Sequence, residues 1–149
     1  MRCVVQRVAR ASVTVEGQKI AAIGAGYLVL VGVEDGDGEN DMIYCADKIA
    51  GLRIFEDENG KMNLSVADVG GEVLLVSQFT LLGDARHGRR PSFTGAAEPR
   101  LGNEMYERFL ALCREMGYPP EHGRFGADMQ VESVNDGPVT LILDTDELM

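Results

Sequence analysis

The first part of the chain is a series of valine-rich runs separated by polar turns. Residues 2–9 and 12–16 contain the branched side chains that strands favour, and each run predicts one strand. Gly17 lies between the second run and residues 19–23, so this segment is expected to return as the partner strand of a hairpin. Residues 27–33 are almost wholly apolar, which predicts a strand that is buried on both faces.

Two later segments have the spacing of amphipathic helices. The first is expected to begin at Asn40 or Asp41, either of which can cap it, and to run to about Ala50. The second covers residues 98–116 and ends at Gly117. The predicted apolar faces are Met42, Cys45, Ala46 and Ile49 in the first helix, and Leu101, Met105, Phe109, Leu112 or Cys113, and Met116 in the second.

Between these helices, a buried strand leads to a cluster of polar side chains. Residues 53–56 predict a short strand, and residues 57–68 are turn-rich and expected to be irregular. Residues 73–76 form an apolar run that leads into residues 77–80, and polar groups at the end of a buried strand commonly line a binding site. The next loop, residues 83–99, is longer than most connections, which favours a functional role.

Asn135-Asp136-Gly137-Pro138 separates two apolar runs near the end of the chain, residues 129–134 and 139–143. Asp-Gly between strand-like runs indicates a hairpin, because glycine adopts positive φ at little cost. Pro138 also suits the first residue of a strand. A hairpin is therefore predicted. The alternative is a rigid backbone device at an active site, because an X-Pro bond is the only kind that adopts the cis form cheaply.

About eight strands and two helices, with hairpins predominating, predict an α+β fold with a mostly antiparallel, rolled, barrel-like sheet. The 149 residues suit a single domain, 1–149, with one sizeable core. No window approaches 18 uninterrupted apolar residues, so no membrane span is predicted. The N-terminal residues lack the apolar core of a signal peptide, so a cytoplasmic location is expected.

The charge balance argues against general nucleic-acid binding. Acidic residues outnumber basic residues by 24 to 14, giving a net charge of −10, whereas affinity for nucleic acid comes largely from neutralising phosphates. A local basic face stays open, because Arg86, His87, Arg89 and Arg90 cluster in the long loop. The three widely spaced cysteines show no CxxC pattern and no Cys/His cluster, which predicts buried thiols rather than disulfides or a metal site.

The residue types alone do not name a reaction. The sequence has no GxSxG elbow, no HExxH pattern and no Gly-rich phosphate loop. Its two histidines are His87, which lies among arginines, and His122, so an activated Ser77 or Thr80 nucleophile lacks an obvious general base. A Ser-His-Asp triad stays open, since its members are assembled in space rather than in sequence.

Four stretches, taken in this order along the chain, resemble the D-aminoacyl-tRNA deacylases. They are QRVARASVTV (residues 6–15), SQFTL (77–81), RPSF (90–93) and NDGPVT (135–140), and the similarity extends over essentially the whole chain. The resemblance implies a homodimeric hydrolase that needs no cofactor or metal. Such enzymes cleave the ester that joins a D-amino acid, or mischarged glycine, to the terminal adenosine of tRNA.

The same resemblance assigns roles to residues. Gly137-Pro138 matches a Gly-cisPro motif that reaches from one subunit into the pocket of the other, and Arg7 matches a position that holds this turn in place. Met129 is expected to contact the substrate. The strand end that lines the pocket, and that is expected to carry the chemistry mainly through backbone groups, is Ser77, Gln78, Phe79 and Thr80.

Two other interpretations stay open on the sequence. A similar fold is appended to some archaeal threonyl-tRNA synthetases, so one of them is a non-catalytic RNA-binding or editing-like module. The other is a conventional Ser/Thr esterase that acts on small molecules. The sequence also leaves open whether Arg86, Arg89 and Arg90 contact tRNA or only water, since charges in loops are usually solvated.

Overall fold

One long first strand organises the fold. The computed structural model describes residues 1–148 of the chain. Its strands are β1 (Arg2–Val15), β2 (Gln18–Ile23), β3 (Gly26–Gly32), β4 (Phe55–Glu56), β5 (Met62–Leu64), β6 (Glu72–Ser77), β7 (Glu121–His122) and β8 (Gln130–Asp144), its helices are α1 (Glu39–Gly51), α2 (Pro99–Glu115) and α3 (Thr145–Leu148), and a 3₁₀ turn covers Phe79–Leu82.

The main sheet is antiparallel around β1 and parallel farther out. β1 pairs with β3 along its first half, with β2 along its second half, and with β8 along almost its whole length. β6 continues the sheet in parallel from β3, and β7 does so from β6. β2 also contacts β6 and β7, so the sheet curls towards closure. The predicted α+β class, with a barrel-like sheet and two main helices, is confirmed.

The predicted break between residues 2–9 and 12–16 is wrong, because β1 is continuous. β8 supplies one long partner that holds both halves of β1 in the sheet. The irregularity is an extra residue, Ala9, since Val8 pairs with Asn135 and Arg10 pairs with the next residue of β8, Val134. Such a bulge reverses which face alternate side chains occupy.

The bulge moves the odd-numbered side chains of β1 from one apolar cluster to another. Before it, Cys3 and Val5 join the cluster that lies under α1 and α2. After it, Val13 and Val15 join a second cluster inside the curled sheet, which also contains Leu74 of β6. The prediction of one core is therefore too simple, because the sheet has an apolar layer on each face.

No helix among the described residues is long and apolar enough to span a membrane.

Both predicted helices are present, with one difference at a cap. α2 begins as predicted, with Glu98 as the N-cap residue and Pro99 at the first helical position. α1 is capped by Gly38 instead of Asn40 or Asp41. Asp41 still contributes, because its carboxylate accepts a hydrogen bond from the Gly38 N–H at 2.9 Å and so satisfies a donor at the start of the helix.

The segment predicted to be irregular contains a small hairpin. Phe55 and Glu56 of β4 pair antiparallel with Leu64 and Met62 of β5, so residues 57–68 are only partly irregular. Few branched side chains mark this pair in the sequence. The hairpin nevertheless forms, since Phe55 is buried and its ring lies 5.1 Å from that of Tyr27 in β3.

Candidate active site

The strand β6 delivers the polar residues at its end from within the core. Val73–Val76 are buried, whereas Ser77 and Gln78 are half-buried. As the chain leaves the sheet, the Gln78 N–H donates to the Val31 carbonyl of β3 at 2.7 Å. The position of the strand end is therefore fixed by the core and by a backbone hydrogen bond.

The 3₁₀ turn that follows leaves two backbone donors available. Gly32 allows this turn to pack on β3, because a Cβ there would lie 2.4 Å from the Leu82 side chain. The first N–H groups of a helical turn have no partner within it. Among the described residues, no acceptor pairs with the N–H of Phe79 or of Thr80. Both groups are thus available to a bound oxygen atom.

A pocket of about 550 Å³ opens beside this turn. Its volume suits a small ligand or one end of a larger ligand. Phe79 and Phe93 form part of the wall, with their rings edge to face at 5.4 Å and 70°. Met129, predicted to contact the substrate, also lies in the wall. The lining further includes residues 96–99 and 125–127 and the strand end Ser77, Gln78 and Thr80.

Few polar side chains face this pocket. Gln78 Nε2 donates to Thr80 Oγ1 at 3.2 Å. Glu98 is the one carboxylate in the described lining, and its Oε1 accepts a hydrogen bond from the Leu101 N–H at 3.1 Å as part of the α2 cap. Neither histidine belongs to the lining. The described lining therefore holds no histidine that could serve Thr80 or Ser77 as general base.

The buried thiols also supply no nucleophile. Cys3, Cys45 and Cys113 are all buried and free, as predicted. Burial raises the pKa of the Cys113 thiol to about 11, so this thiol is protonated near neutral pH. Among residues 1–148, no group of three or more His, Cys, Asp or Glu side chains is arranged to hold a metal ion.

The segment around Gly137-Pro138 is a bulge and not a hairpin. Asn135 and Thr140 on its two sides both pair with β1, and β8 keeps the same direction throughout. Residues 136–139 therefore project opposite Arg7 alone. The hairpin prediction is wrong, because the long partner strand keeps both halves of β8 in register and the polar turn is accommodated between them. The peptide bond between Gly137 and Pro138 is cis.

Arg7 and Asn135 fasten this turn. Arg7 is only 7% exposed, and its Nε donates to the Asp136 carbonyl at 3.0 Å. Its Nη1 donates to the Ile54 carbonyl at 2.7 Å, so the guanidinium links the turn to the segment between α1 and β4. Asn135 Oδ1 accepts a hydrogen bond from the Val139 N–H at 3.0 Å, which closes the turn from its other side.

Within a single chain, the Gly137-Pro138 turn lies away from the pocket. Arg7, which lies opposite the turn, pairs with Tyr27 of β3, and Tyr27 pairs with Val73 near the start of β6. The pocket begins at Ser77, where β6 ends, and four residues along a strand span about 13 Å. None of residues 136–139 belongs to the pocket lining. The strand end and Met129 therefore form one group, and Arg7 with Gly137-Pro138 forms a second group.

Sequence comparison adds a family to this geometry. A family model described as D-Tyr-tRNA(Tyr) deacylase matches residues 4–144. The chain belongs to this family. A D-aminoacyl-tRNA deacylase of Thermotoga petrophila is 60% identical over 148 residues, which are 99% of each chain. A D-aminoacyl-tRNA deacylase of Koribacter versatilis is 63% identical over 145 residues, which are 97% of each chain.

Solved structures share the fold of this D-Tyr-tRNA(Tyr) deacylase family member. One, described as c-Myc DNA unwinding element binding protein, is 44% identical, with a TM-score of 0.92 over 97% of this chain and 99% of that chain. Another, described as "a probable eukaryotic D-amino acid tRNA deacylase", is 17% identical with a TM-score of 0.80, and shows likeness of fold alone. The predicted family is confirmed, and the predicted enzyme class, a deacylase, is that of the family.

Sequence reasoning missed much of the pocket wall. In the sequence, Phe93 carries no site signal beyond the RPSF stretch, and Phe125 carries none. Glu98 is predicted only as the start of a helix. The available signal was the unusual length of the loop before α2, because long loops often carry binding residues. Which of its side chains would meet the end of β6 depends on contacts that are distant in sequence.

Proposed function

We propose that this protein hydrolyses the ester bond of D-aminoacyl-tRNA and of glycine mischarged on tRNA, releasing the free amino acid and tRNA. The observation that supports this best is the apolar pocket of about 550 Å³, which is lined by Phe79 and Thr80, whose N–H groups have no acceptor among the described residues. The family relationship supports the same reaction. Its place would be the cytoplasm, where aminoacyl-tRNA is used.

In the proposed mechanism, backbone groups stabilise the reacting ester. The carbonyl oxygen gains negative charge during attack by water, and the N–H groups of Phe79 and Thr80 are available to bind it. The neighbouring ribose hydroxyl of the substrate assists the proton transfer, so the protein needs to position the ester more than to supply a base. This accounts for the absence of histidine among the described residues that line the pocket.

A second copy of the chain would complete the site. β8 has a backbone partner on one side only within the described chain, and it exposes apolar side chains, including Ile142 at 65%. An unpaired edge with exposed apolar residues favours association with another strand or surface. A homodimer formed there would place Gly137-Pro138 of one subunit in the pocket of the other.

The Gly137-Pro138 turn would then discriminate between D- and L-amino acids. Its carbonyl groups have directions set by Arg7 and Asn135, since both side chains bond to the turn backbone. The side chain of an L-amino acid would meet these carbonyls, whereas that of a D-amino acid would point away. Glycine has no side chain and would pass. This is selection by exclusion of the wrong substrate.

A deacylation assay with a matched set of substrates tests the proposal. D-Tyr-tRNA and glycyl-tRNA are expected to be hydrolysed, L-Tyr-tRNA to be stable, and a free D-tyrosine ester to react far more slowly. Equal rates for D- and L-Tyr-tRNA would favour a general esterase. Binding of tRNA without hydrolysis would favour a nucleic-acid-binding module, an alternative that also fits the name of the 44% identical structure.

A Thr80→Val variant separates backbone chemistry from a threonine nucleophile. Valine keeps the shape and the N–H but removes Oγ1, whose one hydrogen bond among the described residues is accepted from Gln78. We expect kcat to fall by less than about tenfold, as for loss of one neutral hydrogen bond. Single-turnover kinetics with D-Tyr-tRNA measure this. Loss of all turnover with unchanged substrate binding would assign the nucleophile to the Thr80 hydroxyl.

A further inference from the structure

The long loop before α2 has a defined base. Asp84 and Ser92 form a two-way backbone bridge, with N–O distances of 2.7 and 2.8 Å, which closes residues 84–92 into a projecting loop, here called the arginine loop. The four basic residues between these ends are all exposed, and no acidic residue lies among them. In a chain with a net charge of −10, this is a dense local concentration of positive charge.

The charges of the arginine loop are not equivalent. Arg86 forms a bidentate pair with Asp84, at 2.9 and 2.7 Å, so its charge is compensated and its side chain is held. Arg89 and Arg90 have no ion-pair or hydrogen-bond partner among the described residues. These two guanidinium groups are therefore the ones available for an external anion, and arginine matches the geometry of phosphate oxygens well.

The base of the arginine loop is attached to the mouth of the pocket. Gly83 connects the 3₁₀ turn to the loop, and a Cβ at Gly83 would lie 2.8 Å from the Phe93 ring. Phe93 follows the loop and packs on Phe79 in the pocket wall. The three to four residues on each side of the tip form bends, and they reach at most about 13 Å beyond this point. A ligand with its acyl end in the pocket would pass the loop as it leaves.

We infer that Arg89 and Arg90 bind backbone phosphates of RNA adjacent to the nucleotide held at the pocket. This inference rests on the proposed function, and it deepens it by giving the polynucleotide part of the substrate a contact surface. An anionic protein repels tRNA at long range. The arginine loop would offset this repulsion, because it supplies positive charge where the RNA strand passes. The contact is sequence-independent, since phosphates carry no base information.

The test compares two double variants with the same loss of charge. R89Q/R90Q removes the free arginines, and K19Q/K61Q removes two exposed lysines that do not line the pocket. Each is assayed on D-Tyr-tRNA and on 2′(3′)-O-D-tyrosyl-adenosine, which carries no phosphate. We expect R89Q/R90Q to lower kcat/KM on D-Tyr-tRNA by about tenfold and to leave hydrolysis of the adenosine ester within about twofold of wild type. K19Q/K61Q should change neither by more than about twofold.

Salt dependence gives a second readout. Loss of two contacts to a single strand should reduce the slope of log kcat/KM against log salt by about 1.4 for R89Q/R90Q, and K19Q/K61Q should retain the wild-type slope. Equal effects of both variants on tRNA, or an equal loss on the adenosine ester, would overturn the inference. If wild type hydrolyses neither substrate, the proposed function fails. The role of the arginine loop is then tested by measuring the affinity for a labelled RNA hairpin that ends in CCA. R89Q/R90Q must weaken this binding, and K19Q/K61Q must not.

Discussion

An Arg7→Ala variant should hydrolyse D-Tyr-tRNA about 100-fold more slowly than wild type, because small displacements of positioning groups cost factors of this size. Arg7 holds the Asp136 carbonyl at 3.0 Å and the Ile54 carbonyl at 2.7 Å. Without these bonds, the turn that is proposed to enter the partner's pocket loses its fixed position. Steady-state kinetics on D- and L-Tyr-tRNA measure both the rate and the selectivity between enantiomers.

Two matched variants make the Arg7 result specific. Arg10→Ala removes an exposed arginine from the same strand and should leave kcat/KM within about threefold of wild type. Arg7→Lys keeps the charge but not the two-pronged geometry, so it should recover only part of the activity. The Ala variant should lose about 1–3 kcal/mol of stability, from carbonyls left without a donor, and should still fold. If folded Arg7→Ala keeps normal activity and selectivity, the position of the turn is not needed for hydrolysis or for discrimination between enantiomers.

A Gly26→Ala variant should be destabilised by about 4 kcal/mol, at the upper end of what single substitutions do. Gly26 begins β3 and pairs with Glu72 at the start of β6. A Cβ on Gly26 would lie 1.8 Å from the Glu72 carbonyl oxygen and 2.7 Å from its nitrogen, and no side-chain rotation relieves a clash with backbone. The two strands that lead to Ser77 would have to separate locally. Urea unfolding followed by circular dichroism measures the change in the free energy of unfolding.

Gly24 provides the matched control for Gly26. It lies two residues earlier in the chain, and a Cβ there would have no atom within 4 Å. Its N–H donates to Glu72 Oε2 at 3.0 Å, a bond that alanine would keep. Gly24→Ala should therefore change stability by no more than about 0.5 kcal/mol. Similar unfolding midpoints for the two variants would show that the β3–β6 contact yields easily.

Local signals predicted the parts of the fold that depend on neighbouring residues. α2 carried its start and stop in the sequence, with Glu98-Pro99 at one end and Gly117 at the other, and the structure follows them closely. The hairpin of β1 and β2 likewise had its turn marked by Gly17, which adopts φ of 77°. These elements were predictable because capping and turn preferences act over a few residues.

The largest errors involve partners that are distant in sequence. The hairpin at Gly137 was predicted from turn-like composition and the break in β1 from two separate valine-rich runs, but β1 and β8 hold each other in register across more than a hundred residues. The strand end at Ser77–Thr80 could be recognised from its polarity after a buried run. Its pocket could not, because Phe93 reaches it from one segment and Phe125 and Met129 reach it from another.

The extra residue at Ala9 affects how the protein unfolds. β1 contributes side chains to the layer under the helices and to the interior of the curled sheet, and the bulge moves its odd-numbered side chains from the first layer to the second. Both layers therefore pack against the same strand. The two layers are thus mechanically linked, and loss of either should carry the other with it in a single cooperative unfolding transition.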